Sequence, residues 1–294
     1  MKLNIFSTST IVLNHILCFL LLKYIKPSMY KFIFVYWLIG CISITAGLHR
    51  LWTHGSYKTN KYISSILMLF SSGTMQNSIE EWCSNHRMHH RFEDIDISLD
   101  PYSIKHKAGF LWAHIMGYFY EPTPNYASMQ KKIKKEMYDT VWKKDKKLIK
   151  FQHKYYILLA ILMAYIIPFA FIKILTKEDN ITIIAAILLR LIILWHTTWS
   201  INSFAHTVGS RNYSKNHTSG NNHLLSLITS GEGYHNYHHS FPKDYKCSEN
   251  LKCINITGWL IYMLYKLGFT SDLKIAKVKR GDKISNNITY TYEK

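Results

Sequence analysis

Residues 30–54 read Y-K-F-I-F-V-Y-W-L-I-G-C-I-S-I-T-A-G-L-H-R-L-W-T-H. From Tyr30 to Leu48 the only charged side chain is Lys31, and the run ends on His49 and His54. Such a stretch approaches the ~20 residues a helix needs to cross a ~30 Å hydrocarbon core. The histidine pair then places two nitrogen donors at the end of a membrane helix.

Working outward, Ile11–Ile25 is a second apolar block, joined to the first through Lys26-Pro27-Ser28. Tyr155–Leu175 and Ile181–Ile201 form another pair around Lys177-Glu-Asp-Asn180. Soluble bundles do not space apolar blocks in closely joined pairs, so an all-α integral membrane protein is expected. It has four transmembrane helices, at about 9–25, 30–49, 155–175 and 181–201, arranged in two hairpins. The first block has no small-residue cleavage pattern and another follows at once, so it reads as a retained span. Residues 1–294 form one domain whose remaining parts, 50–154 and 202–294, make a helical cap.

The formal charge is +18, from 36 Lys and Arg against 18 Asp and Glu. Residues 105–154 alone carry twelve Lys against four Asp or Glu. The positive-inside rule then puts the cap in the cytosol, although Lys23, Lys26 and Lys31 flank the opposite loop. No nucleic-acid motif is present, so this charge does not imply nucleic acid. The Lys-rich run 131–150 alternates with apolar residues at near-helical spacing. It suits either a helix lying on an anionic membrane surface or a solvated face that attracts an acidic protein. The five cysteines form no C-x-x-C pair and are expected to be reduced thiols rather than ligands.

Nine of the sixteen histidines fall into four boxes: His49 and His54; His86, His89 and His90; His206; and His235, His238 and His239. The i, i+3, i+4 spacing of the two H-x-x-H-H boxes puts each set on one side of a helix. His49 and His54 are about 140° apart on a regular α-helix. Either the helix ends between them or they approach a metal from different directions. Clustered histidines at the headgroup level need no function, but four boxes with nine imidazoles exceed that reading and exceed one ion's coordination. Two metal ions are expected. Convergence also requires that a third apolar stretch, Tyr62–Ile79, does not cross the membrane; it reads as re-entrant or interfacial.

The order H-R-L-W-T-H, N-H-R-M-H-H, N-S-F-A-H, G-E-G-Y-H-N-Y-H-H resembles the membrane acyl-CoA desaturases of the stearoyl-CoA type. The resemblance runs from about Tyr36 to Tyr245 and includes Ala46-Gly47, Asp100-Pro101-Tyr102, Gly109-Phe110 and Ser240-Phe241-Pro242. It implies a non-haem di-iron enzyme of the endoplasmic reticulum membrane, and four spans with the basic middle segment put both termini in the cytosol. The implied reaction forms a cis double bond, at carbon 9, in saturated stearoyl- or palmitoyl-CoA. Dioxygen and electrons from cytochrome b5 with its NADH-dependent reductase drive it, because an unactivated C–H bond yields to no side-chain acid or base.

By the same resemblance the nine histidines hold two iron ions, and Asn202, one turn before His206, carries a water on the second. Gln76, Trp82, Thr198 and Trp199 match positions along the acyl tunnel, and Trp37 and Cys41 its closed end. Glu81 and Glu232 are expected to support the ligands, while His15, His153 and His217, outside the boxes, are expected to tolerate substitution. The chain departs from the family pattern at Ser84-Asn85, at two extra residues between Asp96 and Asp100, at Tyr118 and at Glu121-Pro122. These positions concern the CoA head more than the metal. A di-iron lipid hydroxylase shares the boxes, and a zinc-binding multispan hydrolase is the more distant alternative.

Overall fold

A computed structural model describes residues 2–249 and 253–276 and the backbone of 292–293. Four helices are long and apolar enough to cross a membrane: Ile5–Tyr24, Pro27–Thr53, Tyr156–Leu175 and Asn180–His206, here spans 1 to 4. The expected all-α membrane class holds, and spans 2 and 4 run on into the first and third histidine boxes. The C-terminus, expected to be cytosolic, lies outside the described residues.

Span 4 organises the packing: spans 1, 2 and 3 and the cap helix Gly109–His114 all lie against it. Span 2 approaches closely at Gly40, where an added Cβ would sit 2.7 Å from Leu194 Cδ2. Asp179 starts span 4 by accepting the Thr182 N–H at 2.8 Å. The two links between spans are tied together, since Lys26 Nζ lies 2.9 Å from both Glu178 and Asp179. The lysine that weakens the charge asymmetry is thus neutralised by its neighbours.

The third apolar stretch folds as the helix Lys61–Ser72, capped by Asn60 on the N–H groups of Tyr62 and Ile63 at 3.0 Å. Twelve residues rise about 18 Å, too little to cross. The chain then turns through Met75 and Asn77, whose φ values are 55° and 74°, and returns as the helix Ile79–Phe92. His49 and His86 therefore stay on one side.

Irregular backbone at membrane depth needs partners because no water is there to supply them. Pro168 offers no N–H to Ala164, and the helix loosens to a π-helical turn at Leu162–Ile166. The Arg190 guanidinium takes up the freed Ala164 carbonyl at 2.9 Å and the Gly73 carbonyl at 3.2 Å. Trp195 donates to the Thr74 carbonyl at 2.8 Å. Gly73 is required here, since a Cβ would lie 3.0 Å from the Met163 carbonyl oxygen.

The Lys-rich run is not one membrane-surface helix. It divides into Pro124–Asp139 and Lys146–Lys154, and Ile133, Met137, Trp142 and Ile149 between and along them are buried in the cap core. Trp142 donates to the Trp52 carbonyl at 2.9 Å, and Trp52 to Asp145 at 2.8 Å. With its apolar stripe used inside the cap, the run presents lysines to solvent. That is the solvated-face alternative.

Replacing Arg190 by Met leaves two buried carbonyls without a donor, each a loss of about 1–3 kcal/mol. Arg190→Met should lower the unfolding midpoint in detergent, followed by tryptophan fluorescence, and Arg190→Lys should lower it less. An unchanged midpoint for Arg190→Met would refute the capping role.

Candidate metal centre

The end of span 2, Ser43–Thr53, is π-helical. With i→i+5 bonding, such as His54 N–H to the His49 carbonyl at 3.1 Å, residues five apart come to the same side. The His49 and His54 rings lie 4.8 Å apart. The helix neither ends between them nor splays them, so the 140° problem is solved by the helix type.

The helix Ile79–Phe92 carries the second box. Ser78 caps it, Glu80 and Glu81 occupy its first turn and Arg91 its last, charges matched to the helix dipole, and His89 and His90 sit in that last turn. His86 and His90 join His49, His54 and His238, whereas His89 joins His206, His235 and His239. In each group the ligand atoms lie within 4.8 Å of one another. Both H-x-x-H-H boxes are therefore shared between two clusters, one of five imidazoles and one of four. The clusters share a wall, where His90 stacks on His239 with centroids 4.2 Å apart.

The Nε2 atoms converge. His238 Nε2 lies 2.9 Å from those of His49 and His90, and His90 lies 3.2 Å from His86. In the other cluster His235 Nε2 is 3.0 Å from His206 and from His239. His54 Nε2 and His89 Nε2 are buried without any hydrogen-bond partner. Burial, reinforced by neighbouring imidazoles, holds His54, His86, His90, His235 and His238 well below the usual histidine range. Burial also takes His239 down to about 3, against the pull of Glu93. Imidazole nitrogens gathered this closely in a buried site form an arrangement that a cation resolves. The residues fit a pair of metal ions.

Carboxylates anchor the far nitrogens of His49, His89, His206 and His239. Glu232 lies 3.0 Å from His49 Nδ1 and accepts from Arg50 at 2.8 Å. Burial opposes its charge, but Arg50 and His49 hold its carboxyl at about 2. Asp100 faces His89 Nδ1 at 2.8 Å. Glu93 contacts His239, and lies 3.2 Å from His206 Nδ1 and 3.3 Å from His217 Nδ1. Despite burial these histidines hold Glu93 well below the usual carboxylate range. Cys247 backs His238 Nδ1 at 3.5 Å.

Two expectations need correction. Glu81 does not support a ligand: it bonds Gln130 at 3.0 Å and pairs with Lys134. His217 is no bystander, since it shares Glu93 with two box histidines. Glu93 itself went unread in the sequence. Its signal was its place one turn beyond His89, where a last-turn acid reaches around the helix end.

Asn202 donates to Tyr118 Oη at 3.1 Å and lines a cavity of about 30 Å³ with His49, His86, His235, Trp82 and Thr198. That volume admits a water. Gln76 donates to Thr198 Oγ1 at 3.0 Å, and buried Trp199 packs on Tyr118 with centroids 5.4 Å apart. Trp37 is pinned to Thr197 at 3.2 Å, and Cys41 is buried one turn further along span 2.

A fatty acid desaturase family model matches residues 28–246. The chain belongs to the fatty acid desaturase family. It is 35% identical over 257 residues to stearoyl-CoA desaturase 2 of Rattus norvegicus, covering 85% of this chain and 69% of that protein. It is 36% identical to acyl-CoA desaturase 3 of Mus musculus over the same shares. To acyl-CoA desaturase 1 of Saccharomyces cerevisiae it is 32% identical, covering 84% of this chain and 46% of that one. This desaturase is accordingly an oxidoreductase, and its histidine clusters suit the metal chemistry of its family.

Outer carboxylates of this kind typically alter metal affinity by about 10–100-fold. Glu93→Gln should lower the metal retained after chelator dialysis, measured by elemental analysis, with His217→Ala intermediate and Glu81→Gln without effect. Equal retention in Glu93→Gln and the parent would remove Glu93 from the centre.

Proposed function

We propose that this desaturase holds one iron ion in each histidine cluster and forms a cis double bond at carbon 9 of stearoyl or palmitoyl chains presented as acyl-CoA. Two adjacent clusters of buried, inward-facing Nε2 atoms, in a chain of this family, carry the reading. When bound, the iron pair supplies activation of dioxygen. The nine imidazoles contribute no negative charge, and Glu232, Asp100 and Glu93 fix the tautomers of His49, His89, His206 and His239 from outside. Asn202 is placed to hold a water beside His235, Thr198 and Trp82 are placed to orient the acyl methylenes, and Trp199 with Tyr118 excludes bulk water.

Electrons come, in this reading, from cytochrome b5 and its NADH-dependent reductase. Its support is a bay of about 840 Å³ that reaches His54 and is lined by Arg87, Arg91, Lys143, Lys144, Lys243 and Lys274. Such a surface attracts an acidic protein. We place the chain in the endoplasmic reticulum membrane as two hairpins, with the cap and termini cytosolic. The solvated lysines of the cap and the paired links at Lys26 support that orientation.

Expression in a desaturase-deficient yeast, with fatty acids identified by mass spectrometry, should yield chains unsaturated at carbon 9, and the purified protein should carry about two irons. His89→Ala and His238→Ala should each abolish the product, because no distant side chain can fill a vacated position. Hydroxylated products would favour the hydroxylase, and zinc in place of iron would overturn the reading.

Chain length should follow span 2. Trp37 and Cys41 differ in depth by one turn, about 6 Å, and each buried methylene is worth roughly 0.8 kcal/mol. Cys41→Trp should shift products to shorter chains and Trp37→Ala to longer ones. Unchanged product profiles in both variants would show that this helix does not close the tunnel.

A further inference from the structure

The two histidine clusters differ in the fixed charge around them. On the four-histidine side Asp100 meets His89 Nδ1 at 2.8 Å and the Tyr102 N–H at 3.0 Å, and Glu93 reaches His206, His217 and His239. Among the described residues neither carboxylate pairs with a Lys or Arg. Asp94, the next acid along, is answered by Lys105 at 3.2 Å. A charged His217 would offset one of the two free carboxylates, and one would still remain.

On the five-histidine side the balance is reversed. Glu232 anchors His49 through one oxygen, but Arg50 holds the other through Nε at 3.0 Å and Nη2 at 2.8 Å, so that pair is neutral. Among the described residues His54 is the one box histidine that lines the cationic bay, where seven Lys and Arg stand against Glu136 and Asp145. Arg87 and Lys243 are the cations whose charge acts on His54. Arg87 Nε is buried there without a hydrogen-bond partner.

A carboxylate behind an imidazole raises its basicity and favours the higher oxidation state of a bound ion, whereas nearby cations favour the lower. Burial leaves little water to damp either effect. The additional imidazole of the larger cluster is neutral and does not restore the balance. We propose that the two irons are reduced in a fixed order, the five-histidine ion taking the donor's first electron and the four-histidine ion the second. This rests on the reading of two irons served by an external one-electron donor. The order suits the layout, because the first acceptor is the ion whose ligand His54 faces the bay. Each ferric ion gains one electron to become ferrous, and each donor molecule loses one. Per double bond, two electrons and two protons come from the broken C–H bonds, two electrons from the donor and two protons from solvent, and dioxygen leaves as two waters.

Purified holoprotein enriched in iron-57 is titrated with dithionite through small redox mediators, which bypass the docking of a protein donor. Mössbauer spectra at each stage count the ferric and ferrous ions. The parent should be reduced in two one-electron steps. Asp100→Asn keeps an acceptor for His89 Nδ1 and removes the charge, so it should ease the second step by about tenfold, or about 59 mV for one electron, and leave the first in place. Arg87→Gln should make the first step harder by about as much and leave the second in place. Reduction of both ions in a single step, or Asp100→Asn moving the first step in place of the second, would overturn the order and leave the two-iron reading standing. An unmoved first step in Arg87→Gln would overturn it even if Asp100→Asn cannot be loaded with iron. A parent protein without reducible iron would overturn both readings.

Discussion

Nine imidazoles, eight of them buried, that can bind metal only through an unprotonated nitrogen set the terms for this structure. Nitrogen atoms 2.9–3.2 Å apart without a shared proton repel unless a cation lies among them. Each far nitrogen must also be held, or the ring would turn. Glu232, Asp100 and Glu93 meet that need for His49, His89, His206 and His239 without occupying a ligand position, and Arg50 keeps Glu232 charged in a setting that would otherwise protonate it. Because the ligands come from span 2, span 4, the helix Ile79–Phe92 and the segment His235–Ser240, metal binding and the fold of the cap are one problem.

Span 4 joins that problem to the membrane. It carries Asn202 and His206 at one end, and Arg190 and Trp195 along its length. These two side chains complete the backbone of span 3 and of the returning loop after Ser72. A buried arginine is costly by itself. Here its donors answer carbonyls that have no alternative, and the returning loop brings the second histidine box back to the side of the first.

The helix Ile79–Phe92 separates two chemical environments. Glu81 and Asn85 face a cavity beside Tyr102 and Tyr118, whereas Arg87 and Arg91 face the cationic bay. Two residues along an α-helix turn by about 200°, so alternate positions reach opposite sides while His86 and His90 occupy the edge between them. Substrate and electron donor, in the functions proposed, would approach the clusters from different faces of one helix and would not compete for space.

The sequence by itself determined the membrane class, the four apolar spans and the nine histidines, because these depend on composition and spacing that local chemistry reads directly. It also required that Tyr62–Ile79 turn back, since ligands on opposite sides of a bilayer cannot converge. Tertiary structure alone decided how the histidines divide. Residues three and four apart share a helix side but differ by tens of degrees, enough to send His89 to one cluster and His86 and His90 to the other. The π-helical end of span 2 is equally invisible to an α-helical wheel, and it alone brings His49 and His54 together. Glu93 and His217 lie far apart in the chain, 124 positions by their numbers, and meet only because the cap closes over the second box. Long-range placement of a buried charge follows from where its partners come to lie, which spacing along the chain does not encode.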